Sequence, residues 1–153
     1  MRTFQATLAA FAALTIVATA PARAEEVAGT YDAKFEEVAN NCASASIAMT
    51  RGKLRIRKEK KDQIVVDIER IPLMSGNLGK SGSVRATSKV GPTSIEKLDG
   101  KFSVGGQIDS SGLALVFVAE YFVKGSALCT QSWNVTGVRE AAPAKAPSPA
   151  GSR

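Results

Sequence analysis

Hydrophobic and polar residues alternate along most of the chain after residue 28. A period of two is typical of β-strands with one buried and one exposed face, and helical spacing of apolar residues is absent here. The run 113–123 is apolar on both sides, as in a well-covered strand. Eight strands are predicted, at 29–38, 44–50, 53–59, 63–70, 82–90, 101–109, 112–124 and 128–138.

Short turns containing Gly, Asp, Ser or Lys join most of these strands, which predicts an antiparallel up-and-down meander. The predicted fold class is therefore all-β, a single-domain, closed or nearly closed β-barrel, with a two-sheet β-sandwich as the alternative. In an eight-stranded meander that closes, the end of the first strand lies beside the start of the last. Cys42 lies just past the end of the first predicted strand and Cys129 at the start of the last, and a sandwich that brings the same ends together would satisfy this placement too.

The N-terminus has the features of a cleavable signal peptide. Arg2 precedes an apolar run over 6–20, and Ala22 and Ala24 form a small-residue cleavage signal before Glu25. An apolar run of about 15 residues is shorter than the roughly 20 that span a bilayer. The sequence predicts cleavage between Ala24 and Glu25, no membrane span, and a secreted or periplasmic protein.

Three segments follow from this: a signal peptide at 1–24, a β-barrel domain at 25–139, and an Ala- and Pro-rich tail at 140–153 that is predicted to be disordered. Two cysteines in an exported chain most simply form one disulfide. We therefore expect Cys42 and Cys129 to be bonded.

The sequence contains no histidine, which removes the usual general base, the Ser/His/Asp triad and histidine metal ligands. No pair of carboxylates is predicted to converge on an inward face. The predictions are therefore no enzyme activity, no catalytic residue, no metal site and no cofactor.

Seven basic residues lie between 51 and 61, a density that suggests a polyanion or an acidic membrane surface. A turn centred on Lys61 would place Lys53 opposite Glu69 and Arg55 opposite Asp67, which neutralises much of this charge. Few aromatic residues interleave with the basic ones. The pattern favours a solvated, paired face and argues against a nucleic-acid partner.

Gly29, Thr30 and Tyr31 open the first strand, and Arg139 follows the last. This arrangement resembles the opening G-x-W and the closing basic residue of the calycin barrels, which include lipocalins, fatty-acid-binding proteins and avidins. Tyr31 stands where that group has tryptophan. The resemblance implies a small β-barrel and identifies no ligand.

Polar residues in apolar register are candidates for a site inside the barrel, because a ligand pocket needs a few oriented polar groups among apolar walls. A two-residue turn at Gly125 and Ser126 would place Glu120 opposite Gln131, whereas a three-residue turn would pair Tyr121 with Gln131 and send Glu120 outward. The predicted ligand-binding residues are Tyr31, Glu120, Gln131 and Trp133.

The apolar stretch Ile71, Pro72, Leu73 and Met74 lies in a predicted loop. We expect Ile71, Leu73 and Met74 to form a lid over the barrel mouth, a surface for a protein partner, or a plug that completes the core.

Two functions follow. The first is an exported binding module that carries a small apolar or amphiphilic ligand. The alternative is a protein-interaction or inhibitor-type module with a solid core, whose partner is another envelope or secreted protein. An eight-stranded barrel is just wide enough for either, and the presence or absence of an interior cavity distinguishes them.

Overall fold

The computed structural model describes residues 27–43 and 45–141. Within these ranges the protein is all-β and antiparallel, which confirms the predicted fold class. The nine strands are β1 (Gly29–Asn40), β2 (Arg51–Lys58), β3 (Gln63–Ile68), β4 (Met74–Leu78), β5 (Ser83–Thr87), β6 (Gly91–Pro92), β7 (Asp99–Ile108), β8 (Leu113–Val123) and β9 (Ser126–Arg139).

One sheet contains all of these strands, and it closes into a ring. Consecutive strands pair from β1 to β5, and again from β7 to β9, while β6 is a two-residue strand on the side of β7. β5 pairs with β7, and β1 pairs with β9, so the meander returns to its start. The ring is not evenly barrel-shaped, and its backbone edges are almost entirely used by pairing.

The alternation in the sequence places the apolar residues inside the ring. Leu54 lies opposite Ile68 and Ile56 opposite Val66, in the register that the sequence predicts for β2 and β3. All four side chains are buried, because residues two apart on a strand share one face. The core is a single cluster that extends around the ring.

The predicted strand at 44–50 is wrong. No described residue between β1 and β2 belongs to a strand, and this segment instead crosses one end of the barrel, where Ala45 is buried in the core. The disulfide between Cys42 and Cys129 ties the segment to β9. Asn41 adds a backbone bond to Thr130 and accepts a second bond from its N–H. These anchors, rather than a strand ladder, fix the segment.

The predicted loop after β3 is shorter than expected, because Met74 begins strand β4. Met74 and Ile71 are buried in the core, while Leu73 is 53% exposed. Four residues of β4 pair with β3, and four pair with β5. Ile71 and Met74 therefore complete the core, while Pro72 and Leu73 remain on the surface.

The first described residues close the other end of the barrel. The Tyr31 hydroxyl donates to the carbonyl of Val27 at 2.7 Å, and Arg139 donates to the carbonyl of Ala28 at 2.5 Å. The predicted signal peptide at 1–24 lies outside the described residues, as does the predicted tail beyond Ala141. Among the residues described, no helix has the length and hydrophobicity needed to cross a membrane.

Candidate functional site

Aromatic side chains fill the interior where a ligand was expected. Trp133 is 1% exposed, and its ring stacks on Phe117 with 5.1 Å between centroids. Phe117 stacks in turn on Phe102 at 6.1 Å and meets the edge of Phe35 at 6.4 Å. Tyr121 packs edge-on against Phe102 at 6.3 Å. Trp133 thus belongs to an aromatic column that packs the barrel core.

Gln131 lies on the same inward face of β9 as Trp133, and its amide is fully used. Its Oε1 accepts from the N–H of Ile47 and its Nε2 donates to the C=O of Ile47, both at 3.0 Å. Nε2 also donates to the carboxylate of Glu37. Gln131 therefore holds the segment between β1 and β2 in place, because it bonds the backbone of Ile47 as a neighbouring strand would.

The two partners of Gln131, Glu37 and Ile47, were not predicted from the sequence. The parity of β1 contains a signal for Glu37, because it follows Tyr31, Ala33 and Phe35 on the inward face. No comparable signal exists for Ile47, since its contact is made through the backbone of a segment without strand pairing.

Glu120 does not join this group. Gln131 lies opposite Ala119, and Glu120 lies opposite Thr130 on the outer face, so both predicted registers are wrong. Lys124 and Gly125, with φ angles of 51° and 79°, form the turn, as a type I′ turn requires. A bulge at the start of β9 then shifts the register by one residue. Glu120 makes an ion pair with Lys101 at 3.6 Å.

Tyr31 lies at the opposite end of the barrel from Gln131. It is paired with Arg139, which is eight positions beyond Gln131 on β9, a separation of about 26 Å along an extended strand. Burial raises the pKa of Tyr31, while the nearby charge of Arg139 lowers it. The structure thus brings Gln131 and Trp133 together and places Tyr31 and Glu120 elsewhere.

A groove of about 920 Å³ lies on the outside of the ring instead. It crosses the sheet from β2 over β1, β9 and β8 to β7. Four steps between neighbouring strands give it a length of about 19 Å. The outward side chains along it are Asp32, Lys34, Arg51, Lys53, Gln107, Ala114, Thr136 and Val138, with Glu69, Asp109 and Ser111 at the rim.

Small residues behind the floor account for this concave surface. Gly52, Ala33 and Gly137 lie opposite one another on three neighbouring strands, and all three face the interior. A Cβ atom added to Gly137 would lie 3.1 Å from the Leu113 side chain. Because this inward row has almost no side-chain volume, the sheet can lie close to the core here.

Two rows of outward side chains cross the groove, and their charges differ. In the first row, Asp32 lies opposite Lys53, which makes ion pairs with both Asp32 and Glu140. Hydrogen bonds to Asp32 and Glu140 raise the pKa of Lys53. In the second row, Lys34 lies opposite Arg51. Among the described residues neither has an ion pair or a side-chain hydrogen bond.

The remainder of the basic run is only partly neutralised. Arg55 lies opposite Asp67, as predicted, with 3.9 Å between the charged atoms. The predicted pairing of Lys53 with Glu69 is replaced by the pairing with Asp32 and Glu140. Arg57 lies opposite Val65 and has no acidic partner in the described ranges. The outer face of β2 therefore carries an excess of positive charge.

The far rim of the groove carries a fixed negative charge. Asp109 accepts hydrogen bonds from the Ser111 hydroxyl, the Ser111 N–H and the Gly112 N–H. These bonds hold the pKa of Asp109 below its usual range, with the Ser111 hydroxyl as the largest cause. Its carboxylate is therefore charged at neutral pH.

In the described part of the chain, no group of three Cys, Asp or Glu side chains could hold a metal ion.

Comparisons with protein-family models, curated proteins and solved structures found no match to this chain. The resemblance to calycin barrels at Tyr31 and Arg139 stays a prediction.

Proposed function

We propose that the protein is a non-catalytic interaction module that binds another exported protein on the outside of its barrel. The observation that carries the proposal is the contrast between the two surfaces of the sheet. The inner surface is packed around Trp133 and Phe117, and the outer surface has a groove of about 920 Å³. This contrast favours the second of the two predicted functions over a carrier of small ligands.

The closed ring limits how a partner can bind. Strand addition needs an exposed sheet edge with unpaired backbone groups. Here β1 and β5 each pair on both sides, and no long edge remains among the described strands. A partner must therefore contact side chains on a face of the sheet, which favours the groove.

Export is part of the proposal. The features of the segment 1–24 and the disulfide between Cys42 and Cys129 support an oxidising compartment. Mass spectrometry of the protein from its source should find Glu25 as the mature N-terminus. A chain that retains its first 24 residues would contradict export by cleavage.

A photoreactive amino acid placed at Thr136, in the groove, tests the binding surface. Irradiation of the producing cells should give one adduct of reproducible mass, and the same residue at Asn77, on the outer face of β4, should give none. The purified partner should then bind the protein saturably. Equal adducts from both positions would contradict the groove as the binding surface.

The fluorescence of Trp133 tests the carrier function in parallel. It is the single tryptophan of the chain, so its emission reports directly on the core. We expect no saturable change with fatty acids, sterols or aromatic compounds. A saturable shift with any of them would contradict a solid core and restore the carrier function.

A further inference from the structure

We infer that the groove takes an acidic, extended segment of a protein partner, whose carboxylates bind between Lys34 and Arg51. This inference rests on the proposed function and names the chemistry of the partner. It follows from the charge of the second row of the groove, its neighbours and its length.

Lys34 and Arg51 are an exception to the pairing seen beside them. Like charges directly opposite each other on antiparallel strands destabilise the pair, whereas opposite charges stabilise it. Two residues away, Asp32 and Lys53 follow the favourable pattern. Within the described residues, the Lys34 and Arg51 pair lacks such compensation, so an anion from outside would remove a repulsion as well as form new bonds.

The neighbouring side chains suit a carboxylate. Thr136 lies opposite Lys34 on its other side, so an ammonium, a guanidinium and a hydroxyl lie in one row across β2, β1 and β9. Arginine binds carboxylates with two parallel hydrogen bonds, and such charge-assisted bonds are stronger than neutral ones. The row can therefore hold one or two acidic side chains.

The remainder of the groove favours a peptide over a uniform polyanion. Beyond Thr136 the floor becomes neutral and partly apolar at Ala114 and Val138, and the far rim carries the charged Asp109. A nucleic acid or sulfated polysaccharide would bring its negative charge against Asp109. A peptide of about six extended residues matches a span of about 19 Å and can change character along its length.

The test is a titration of isotope-labelled protein with a capped hexapeptide of two glutamates followed by alanines and valines. We expect saturable shifts of backbone amide resonances at 32–34, 51–53 and 136. The same peptide with glutamines in place of the glutamates should bind at least tenfold more weakly. Absence of saturable shifts in the groove would overturn the inference.

Matched variants assign the effect to the groove. Lys34→Gln and Arg51→Gln should each weaken binding of the glutamate peptide at least fivefold. Arg57→Gln removes the same charge from the same face of β2 outside the groove, and should leave binding unchanged. An equal loss in all three variants would show a general charge effect and overturn the inference.

Two further measurements separate the alternatives. Heparin and oligothymidylate of similar length should bind more weakly than the glutamate peptide. Tighter binding of either one, with shifts at the same amides, would show that the groove prefers a polyanion and would overturn the inference of an acidic peptide. At low salt, Lys34→Gln should raise the melting temperature because it removes a repulsion. A fall would mean that Lys34 is already compensated and would overturn the inference. If the crosslink from Thr136 forms but the peptide does not bind, the acidic chemistry fails and the proposed function survives. If neither occurs, both fail.

Discussion

The side-chain amide of Gln131 bonds both backbone groups of Ile47, at 3.0 Å each, although the two residues lie 84 positions apart in the sequence. Gln131 is 1% exposed and Ile47 is partly buried, so these bonds lie largely out of contact with water. The side chain of Gln131 therefore provides the segment between β1 and β2 with two bonds of the kind that a strand ladder would otherwise supply, in addition to the disulfide and the two bonds between Asn41 and Thr130.

Gln131→Ala should lower the free energy of unfolding by about 2 kcal/mol, because two partly buried backbone groups of Ile47 lose their partner. Asn134→Ala, on the exposed face of the same strand, is the matched control and should change stability by less than about 0.5 kcal/mol. Urea unfolding of both variants measures the difference. Equal effects would show that the contact to Ile47 contributes little.

The disulfide acts on the same segment from its other end. It closes a loop with a sequence separation of 87 residues, for which the chain-entropy estimate of stabilisation is about 4 to 5 kcal/mol. Replacing Cys42 and Cys129 by serine should lower stability by up to this amount. Amide exchange should accelerate at 45–49 more than in β8, and uniform acceleration would contradict a local role.

Much of the fold follows from the sequence because the period of two is a strong signal in a closed sheet. The register of Leu54 with Ile68 was predictable, since a short polar turn joins two clearly alternating strands. The segment 44–50 also alternates, but the contacts that decide its conformation are distant in sequence. Cys129 and Gln131 hold this segment across the end of the barrel, and the local pattern of residues 44–50 does not indicate these long-range contacts.

The candidate site was less predictable, for two reasons. One bulge at the start of β9 shifts the register by one residue, so that the inward-facing Ala119 lies opposite Gln131 and Glu120 faces outward. Bulges have no reliable signal in a single sequence. The groove depends on Gly52, Ala33 and Gly137 meeting across three strands, which requires the complete register. Lys34 belongs to no charge run and no motif in the sequence. It becomes a candidate only when β1 pairs with β2 and places it opposite Arg51.

Trp133 is predicted to act as a core residue. Trp133→Ala should lower the free energy of unfolding by about 3 to 5 kcal/mol, because it leaves a cavity beside Phe117. Trp133→Phe keeps the aromatic contact and should cost clearly less. Chemical unfolding measures both variants, and a tolerated alanine would indicate space beside the ring that a ligand could use.

The two tyrosines should respond in opposite ways to loss of the hydroxyl. Tyr31→Phe removes the bond to the carbonyl of Val27 and should lower stability by about 1 kcal/mol. The Tyr121 hydroxyl is buried without a hydrogen-bond partner among the described residues, so Tyr121→Phe should be neutral or stabilising. Destabilisation by Tyr121→Phe, measured by thermal unfolding, would reveal a partner for that hydroxyl.

Alkaline pH should destabilise the protein through the same two residues. Burial raises the pKa of Tyr121 to about 12 and also raises that of Tyr31, whereas both ionise near 10 in the unfolded chain. Above pH 10 the unfolded state loses protons that the folded state retains, so stability is fully present below pH 10 and falls as the pH rises towards 12.

The absorbance of phenolate measures the ionisation of these tyrosines directly, since the chain has two tyrosines. The native protein should show less phenolate at pH 10 than the protein in urea, which should be about half ionised there, and Tyr121→Phe should narrow the pH range over which stability is lost. A phenolate step near pH 10 in protein that keeps its native circular dichroism would mean that water reaches a tyrosine in the barrel.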